Sequence, residues 1–206
     1  MWFKKSKKEA KNRSNKQVFG TMLGMGVVGL IASFVLTIEK FHLLEDPNAT
    51  LTCSFNLVLN CSTVMQTWQS SVFGFPNMLI GMMAFPVVIT IAVLGLANAT
   101  FPRWFLIAAN IGYLLGAIFA YWLFFSSVYD IQVLCPWCLL VTLATTLILA
   151  SMTHYNLEKN TFNLSKKRHE AAISFLASGY GALVTASWLI LLVGLVFIKF
   201  GDALFV

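Results

Sequence analysis

Five apolar runs constrain this chain more than any other feature. They fall at about 18–38, 78–97, 104–128, 135–152 and 173–199. Each meets the roughly 20 residues that a helix needs to cross a bilayer, the fourth only narrowly. In lipid every backbone N–H and C=O must find its partner within the chain, so such runs are expected as helices. The chain is 58% hydrophobic and only 11% charged, where soluble domains carry about 25% charged residues. The expected fold class is an all-α integral membrane protein. The acidic residues all fall at the ends of the runs or between them. That placement disfavours proton or ion transport, which commonly leaves ionisable groups inside the spans.

The formal charge of +6 is concentrated rather than spread. Lys4, Lys5, Lys7, Lys8, Lys11, Arg13 and Lys16 precede the first run. No basic-aromatic platform accompanies them, so nucleic acid is not an expected partner, and a cytoplasmic anchor beside anionic lipid is the better reading. The first run exceeds the 7–15 residues of a signal-peptide core and no small-residue cleavage site follows, so it is read as a retained span. With the N-terminus inside, Arg103, Lys159, Lys166, Lys167 and Arg168 join the leading seven on the inner side. Only Lys40 and Lys199 remain outside, twelve against two of the fourteen Lys and Arg residues. This positive-inside bias places the C-terminus outside.

The same topology puts all four cysteines on the outer, oxidising side, where disulfides persist. Cys53 and Cys61 lie in the outer loop between the first two runs, and Cys135 and Cys138 open the fourth run. Pro136 suits the first turn of a helix, where its missing N–H costs nothing. Cys135 is then expected near the N-cap, where free amides and the helix dipole favour a thiolate. A Cys-x-x-Cys pair at a helix start suits reversible exchange. A static disulfide and a four-cysteine zinc site are the alternatives, the zinc site weakened by the lack of a second Cys-x-x-Cys. Cys53 and Cys61 can close a modest loop or contact separate partners. Two pairs on one face favour a relay through mixed disulfides over two independent staples.

Several of these residues together resemble the vitamin K epoxide reductase family, especially its bacterial members. The likeness rests on the Cys-x7-Cys loop with Ser62 after it, and on Ser70-Ser71-Val72-Phe73-Gly74-Phe75-Pro76-Asn77. It rests equally on Leu123-Phe124-Phe125 through Tyr129-Asp130 to Cys135-Pro136-Trp137-Cys138. The resemblance covers about 18–152. It implies a four-helix transmembrane bundle around a quinone pocket, with the fifth helix peripheral. It also implies that Cys138 lies nearest the quinone, that Cys135 exchanges with Cys61, that Cys53 faces a soluble partner, and that 70–77 caps the pocket. Many bacterial relatives carry a thioredoxin-like domain after the fifth span. This sequence ends at Val206 without one, so a separate extracytoplasmic thioredoxin-like thiol oxidase is the expected partner. Thr142 stands where the animal enzymes have a tyrosine, and Ser70 where they have an asparagine. A quinone, menaquinone or ubiquinone, is therefore the expected acceptor rather than its epoxide.

A quinone ring needs flat apolar walls and one or two polar partners for its carbonyls. Phe73, Phe75, Tyr121 and Trp122 are candidate walls, and Ser70, Ser71, Asn77 and Thr142 candidate donors. Aromatics also form interfacial belts in membrane proteins, which is the plain alternative for each. The expected organisation is a basic cytoplasmic tail at 1–17, a catalytic bundle at 18–152, and a cytoplasmic loop, fifth span and outer terminus at 153–206. The expected function is a membrane thiol–disulfide oxidoreductase passing electrons from a secreted thioredoxin-like protein through two cysteine pairs to a membrane quinone, in support of disulfide formation. Alternatives are a quinone or vitamin K epoxide reductase acting mainly on the small molecule, and a non-catalytic membrane protein with structural disulfides.

Overall fold

The computed structural model describes residues 2–47, 51–54 and 58–204. The side chains of 2–13 and 202–204 lie outside the described residues, among them Lys4, Lys5, Lys7, Lys8, Lys11 and Arg13 of the leading basic cluster. So does the centre of the cysteine loop at 55–57.

Seven α-helices run through the described residues: α1 (Trp2–Glu45), α2 (Cys61–Gln66), α3 (Met78–Leu96), α4 (Arg103–Ser126), α5 (Pro136–Glu158), α6 (Lys166–Ala177) and α7 (Tyr180–Leu204). A 3-10 turn (Trp68–Ser71) links α2 toward α3, and a π-helical turn (Ser127–Ile131) extends α4. Five helices, α1, α3, α4, α5 and α7, are long and apolar enough to cross a membrane, and no strand occurs among the described residues. The chain is an all-α, multi-pass membrane protein.

Three of the runs differ from the hydropathy reading, the fourth because α5 continues past 152 to Glu158. The first helix runs well past its apolar core at both ends, because polar residues outside the bilayer continue a helix without cost to its hydrogen bonding. The last apolar run is two helices. Ile173 belongs to α6, and Gly179 at φ +76° breaks the chain before α7 begins. Hydropathy does not see this break, because the residues on either side of the left-handed glycine are equally apolar.

α1 packs against α3 and α5, and α5 against α4, giving the order α3–α1–α5–α4 around the bundle. Lipid is as apolar as leucine, so close approach and interhelical polar contacts hold such helices together. Both are present. A Cβ on Gly29 of α1 would overlap the Phe85 ring of α3. Buried Phe19 meets Tyr155 edge-on at 4.8 Å. At the end of the bundle away from the cysteines, the fully buried Asn156 donates from Nδ2 to Asn110 Oδ1 (3.2 Å) and to the Leu106 carbonyl (3.3 Å). Thr153 donates its hydroxyl to the same Asn110 oxygen at 3.2 Å. The fifth spanning helix, α7, lies outside the four, touching them mainly along α5.

Candidate redox site

The site is assembled where two loops meet at one end of the bundle. Leu59 and Leu134 form a parallel bridge, with Leu134 N–H donating to the Val58 carbonyl (2.7 Å) and Asn60 N–H to the Leu134 carbonyl (3.0 Å). Leu134 directly precedes Cys135, and Leu59 lies two residues before Cys61. After Leu59, Asn60 caps α2, its Oδ1 accepting from Thr63 N–H (3.2 Å) and the Ser54 hydroxyl (3.0 Å). This starts α2 at Cys61. After Leu134, Cys135 caps α5 with Pro136 in the first turn, and its Sγ accepts from Cys138 N–H at 3.3 Å. The cap that a serine or aspartate usually supplies is here a sulfur. That sulfur accepts the first-turn amide an oxygen would otherwise take.

Cys53 and Cys61 form a disulfide, while Cys135 and Cys138 are free thiols. Cys61 Sγ lies 3.4 Å from Cys135 Sγ. Cys53, Cys61 and Cys135 are buried, and Cys138 is half-buried. The sulfurs sit in an apolar cluster with Leu36, Leu43, Leu51 and Met65, against which Trp137 packs. Two adjacent charged residues of α1 brace the cysteine loop on both sides. Buried Glu39 accepts from the backbone N–H of Thr52 (3.3 Å) and from its hydroxyl, and Lys40 Nζ donates to the Met65 carbonyl (2.7 Å).

Beneath this cluster a cavity of about 620 Å³ lies among α1, α3, α4 and α5. Cys135 and Cys138 line its upper wall. Of the residues singled out from sequence, Ser70, Asn77 and Thr142 line it too. Ser71, Phe73, Phe75 and Tyr121 are not among its lining residues. Phe73 stacks on Phe75 (6.2 Å) and tilts against Phe119 (5.5 Å), and Phe119 lines the cavity and stacks on Trp122 (5.9 Å). These aromatics surround one side of the cavity with Phe119 alone reaching it. Tyr121 instead bonds to Thr146 and Trp188. The 70–77 segment is folded on itself. Asn77 N–H donates to the Ser70 carbonyl (2.9 Å), Asn77 Nδ2 to the Gln69 carbonyl (2.6 Å), and the Ser70 hydroxyl to the Met65 carbonyl (2.7 Å). Gly74, at φ +81°, makes its turn.

Sequence reasoning missed Tyr113 and the small residues around it. Gly112 and Gly116 lie one turn apart on α4 and open the wall at this level. That spacing in a span was the available signal. Two polar atoms buried in the lining residues have no protein partner: Tyr113 Oη and Asn77 Oδ1. Unpartnered buried polar groups are costly, at about 1–3 kcal/mol each. One donor and one acceptor left open on otherwise apolar walls fit a flat apolar ring bearing oxygen functions. The cavity's size is that of a small-molecule site, so the residues present fit a quinone. No group of metal-ligating residues occurs among the described residues.

A dithiol on the wall of an apolar cavity, in sulfur contact with a disulfide and set in a spanning bundle, places the chain among integral-membrane redox proteins. More specifically, residues 21–153 match the vitamin K epoxide reductase family, and the chain belongs to it. It is thus a membrane oxidoreductase of a family that uses quinones. No curated protein and no solved structure gives a significant match.

Proposed function

We propose that the protein carries electrons from an extracytoplasmic thioredoxin-like protein through Cys53–Cys61 and then Cys135–Cys138 to a membrane quinone. The 3.4 Å contact between Cys61 Sγ and Cys135 Sγ carries this reading. It joins the two pairs at van der Waals range while the second pair lines the cavity.

The exchange steps balance as follows. A thiolate of the donor attacks Cys53, releasing Cys61, and the donor's second thiol resolves the mixed disulfide. Cys61 thiolate then attacks Cys135, forming Cys61–Cys135 and releasing Cys138. Cys53 thiolate attacks Cys61 and releases Cys135. The loop is now closed again and Cys135 and Cys138 are free, the same pairing found here. A bound quinone supplies the acceptor for two electrons and two protons. The Cys135–Cys138 dithiol gives these up and closes as a disulfide. Burial of Cys53 means that a protein donor reaches it only once part of the surrounding apolar cluster moves aside. The positive-inside charge bias supports placing the cysteine end outside.

The test is quinone reduction by purified protein in lipid, driven either by a reduced thioredoxin-like protein or by a small dithiol. Cys135→Ala and Cys138→Ala should abolish both activities. Cys53→Ala and Cys61→Ala should abolish only the protein-driven one. Protein-driven activity retained in Cys53→Ala and Cys61→Ala would sink the relay.

A further inference from the structure

We propose that α7 is a positioning element for the Cys135–Cys138 pair, acting through Trp188. The helix lies outside the stretch that matches the family and is almost entirely lipid-facing, yet its few bundle contacts converge on the cysteine carriers. Trp188 Nε1–H donates to Tyr121 Oη at 2.8 Å, and Tyr121 Oη lies 2.6 Å from Thr146 Oγ1. The single proton of the Thr146 hydroxyl goes to the Thr142 carbonyl at 2.7 Å, so Tyr121 is the donor to Thr146. Thr142 in turn donates its hydroxyl to the Cys138 carbonyl at 3.0 Å, and Cys138 N–H donates to Cys135 Sγ at 3.3 Å. A series of hydrogen bonds, joined covalently through Thr142 and Cys138, thus leads from an indole on α7 to the capping sulfur of α5.

Threonines that donate back to the carbonyl four residues earlier bend a helix slightly. Thr142 and Thr146 do so in tandem over the first turns of α5. The Tyr121 hydroxyl fixes the Thr146 rotamer from α4, and Trp188 fixes Tyr121 from α7. The bend, and with it the aim of the Cys138 amide at Cys135, is set from outside the four-helix bundle. The packing points the same way. Buried Leu192 and Phe200 of α7 form one cluster with Phe124, Val128 and Leu134, and Leu59 and Leu139 pack against it. Lys199 Nζ lies 5.9 Å over the ring of Tyr129, the middle residue of the π-helical turn.

The test uses full-length protein in lipid nanodiscs, with Trp188→Phe, Tyr121→Phe and the double variant. In a Cys53→Ser, Cys61→Ser background, the ratio of closed to open Cys135–Cys138 is read by thiol mass-tagging in a fixed dithiol/disulfide buffer. This arm needs neither quinone nor protein donor and so stands apart from the relay reading. Loss of an aimed donor weakens the reduced form, so each single variant should shift the ratio toward the disulfide by about three- to tenfold. The double variant should shift it no further than Tyr121→Phe does. A ratio unchanged in Trp188→Phe, even with a lowered melting temperature, overturns the proposal, as does a double variant equal to the product of the singles. The second arm rests on the relay reading: with all four cysteines present, quinone kcat should fall and KM hold. A raised KM at constant kcat would instead make Tyr121 a wall of the cavity and overturn its positioning role.

Discussion

Leu59 and Leu134 form the bridge that sets Cys61 against Cys135. Two backbone hydrogen bonds fix the register of two segments far apart in sequence, and each then turns into a helix with a cysteine at its start, Cys61 as the first residue of α2 and Cys135 as the N-cap of α5. If the bridge places the sulfurs, a chain carrying only Cys61 and Cys135 should close spontaneously. Cys53→Ala with Cys138→Ala is expected to form the Cys61–Cys135 disulfide under mild oxidation, read as intact mass without reductant. Adding Leu134→Pro removes the N–H that meets the Val58 carbonyl and should slow closure about fivefold, one bond of about 1 kcal/mol being lost. Unchanged closure in that variant would mean that the helices alone bring the sulfurs together.

Asn77 offers the cavity an open acceptor. One N–H of its Nδ2 goes to the Gln69 carbonyl, while Oδ1 is buried and unpartnered. A quinone carbonyl gains nothing from an acceptor, whereas a hydroquinone hydroxyl can donate to it. Asn77→Leu, which keeps volume and removes the polar atom, should therefore weaken hydroquinone product inhibition by about three- to tenfold. The KM for quinone should change less. Parallel loss of both affinities would indicate that the amide turns over when a ligand binds.

How much of this was legible in the sequence depended on whether the cause was local. The spans follow from run length alone, and the capping role of Cys135 follows from Pro136 beside it. The contact of Cys61 with Cys135 was expected only through family resemblance, since no local rule links residues so distant. The wall residues show the limit. Tyr121 and Phe73 are aromatics of the right kind in the right region, but helix rotation decides which face meets the cavity. In a span that is apolar all round, periodicity carries no record of that rotation. Tyr113 escaped notice for the same reason, because its hydroxyl has meaning only once the cavity beside it is known. The Gly179 break was invisible to hydropathy because both flanks are equally apolar.

Gly112 tests whether the cavity is the quinone site without disturbing the bundle. It lines the cavity, and a Cβ built on it meets nothing within 4 Å. Gly112→Leu should therefore fill space rather than strain the packing. The expected outcome is a quinone KM raised at least about tenfold, since a displaced ring loses contacts worth more than 1.4 kcal/mol. Closure of Cys61–Cys135 in the two-cysteine variant and the melting temperature should stay near their starting values. A normal KM in Gly112→Leu protein would place the acceptor elsewhere.

Gly29 and Gly24 make a matched pair for the packing of α1. In an isolated helix, replacing glycine by alanine is favourable by about 1 kcal/mol. At Gly24 nothing lies within 4 Å of the added carbon, so that gain should appear as neutral or slightly raised stability. At Gly29 the same carbon would overlap the ring of Phe85, which is buried on α3. Overpacking of this kind costs about 1–3 kcal/mol, enough to cancel the propensity gain and exceed it. Gly29→Ala should therefore lower the midpoint of thermal unfolding in detergent while Gly24→Ala does not. Phe85 also lines the cavity. The easiest relief for its ring is to swing into that space, so the Gly29 variant should show a raised quinone KM together with its lost stability. Stability lost at Gly29 with KM intact would show that α1 and α3 part instead, and that the cavity wall is held by the other helices.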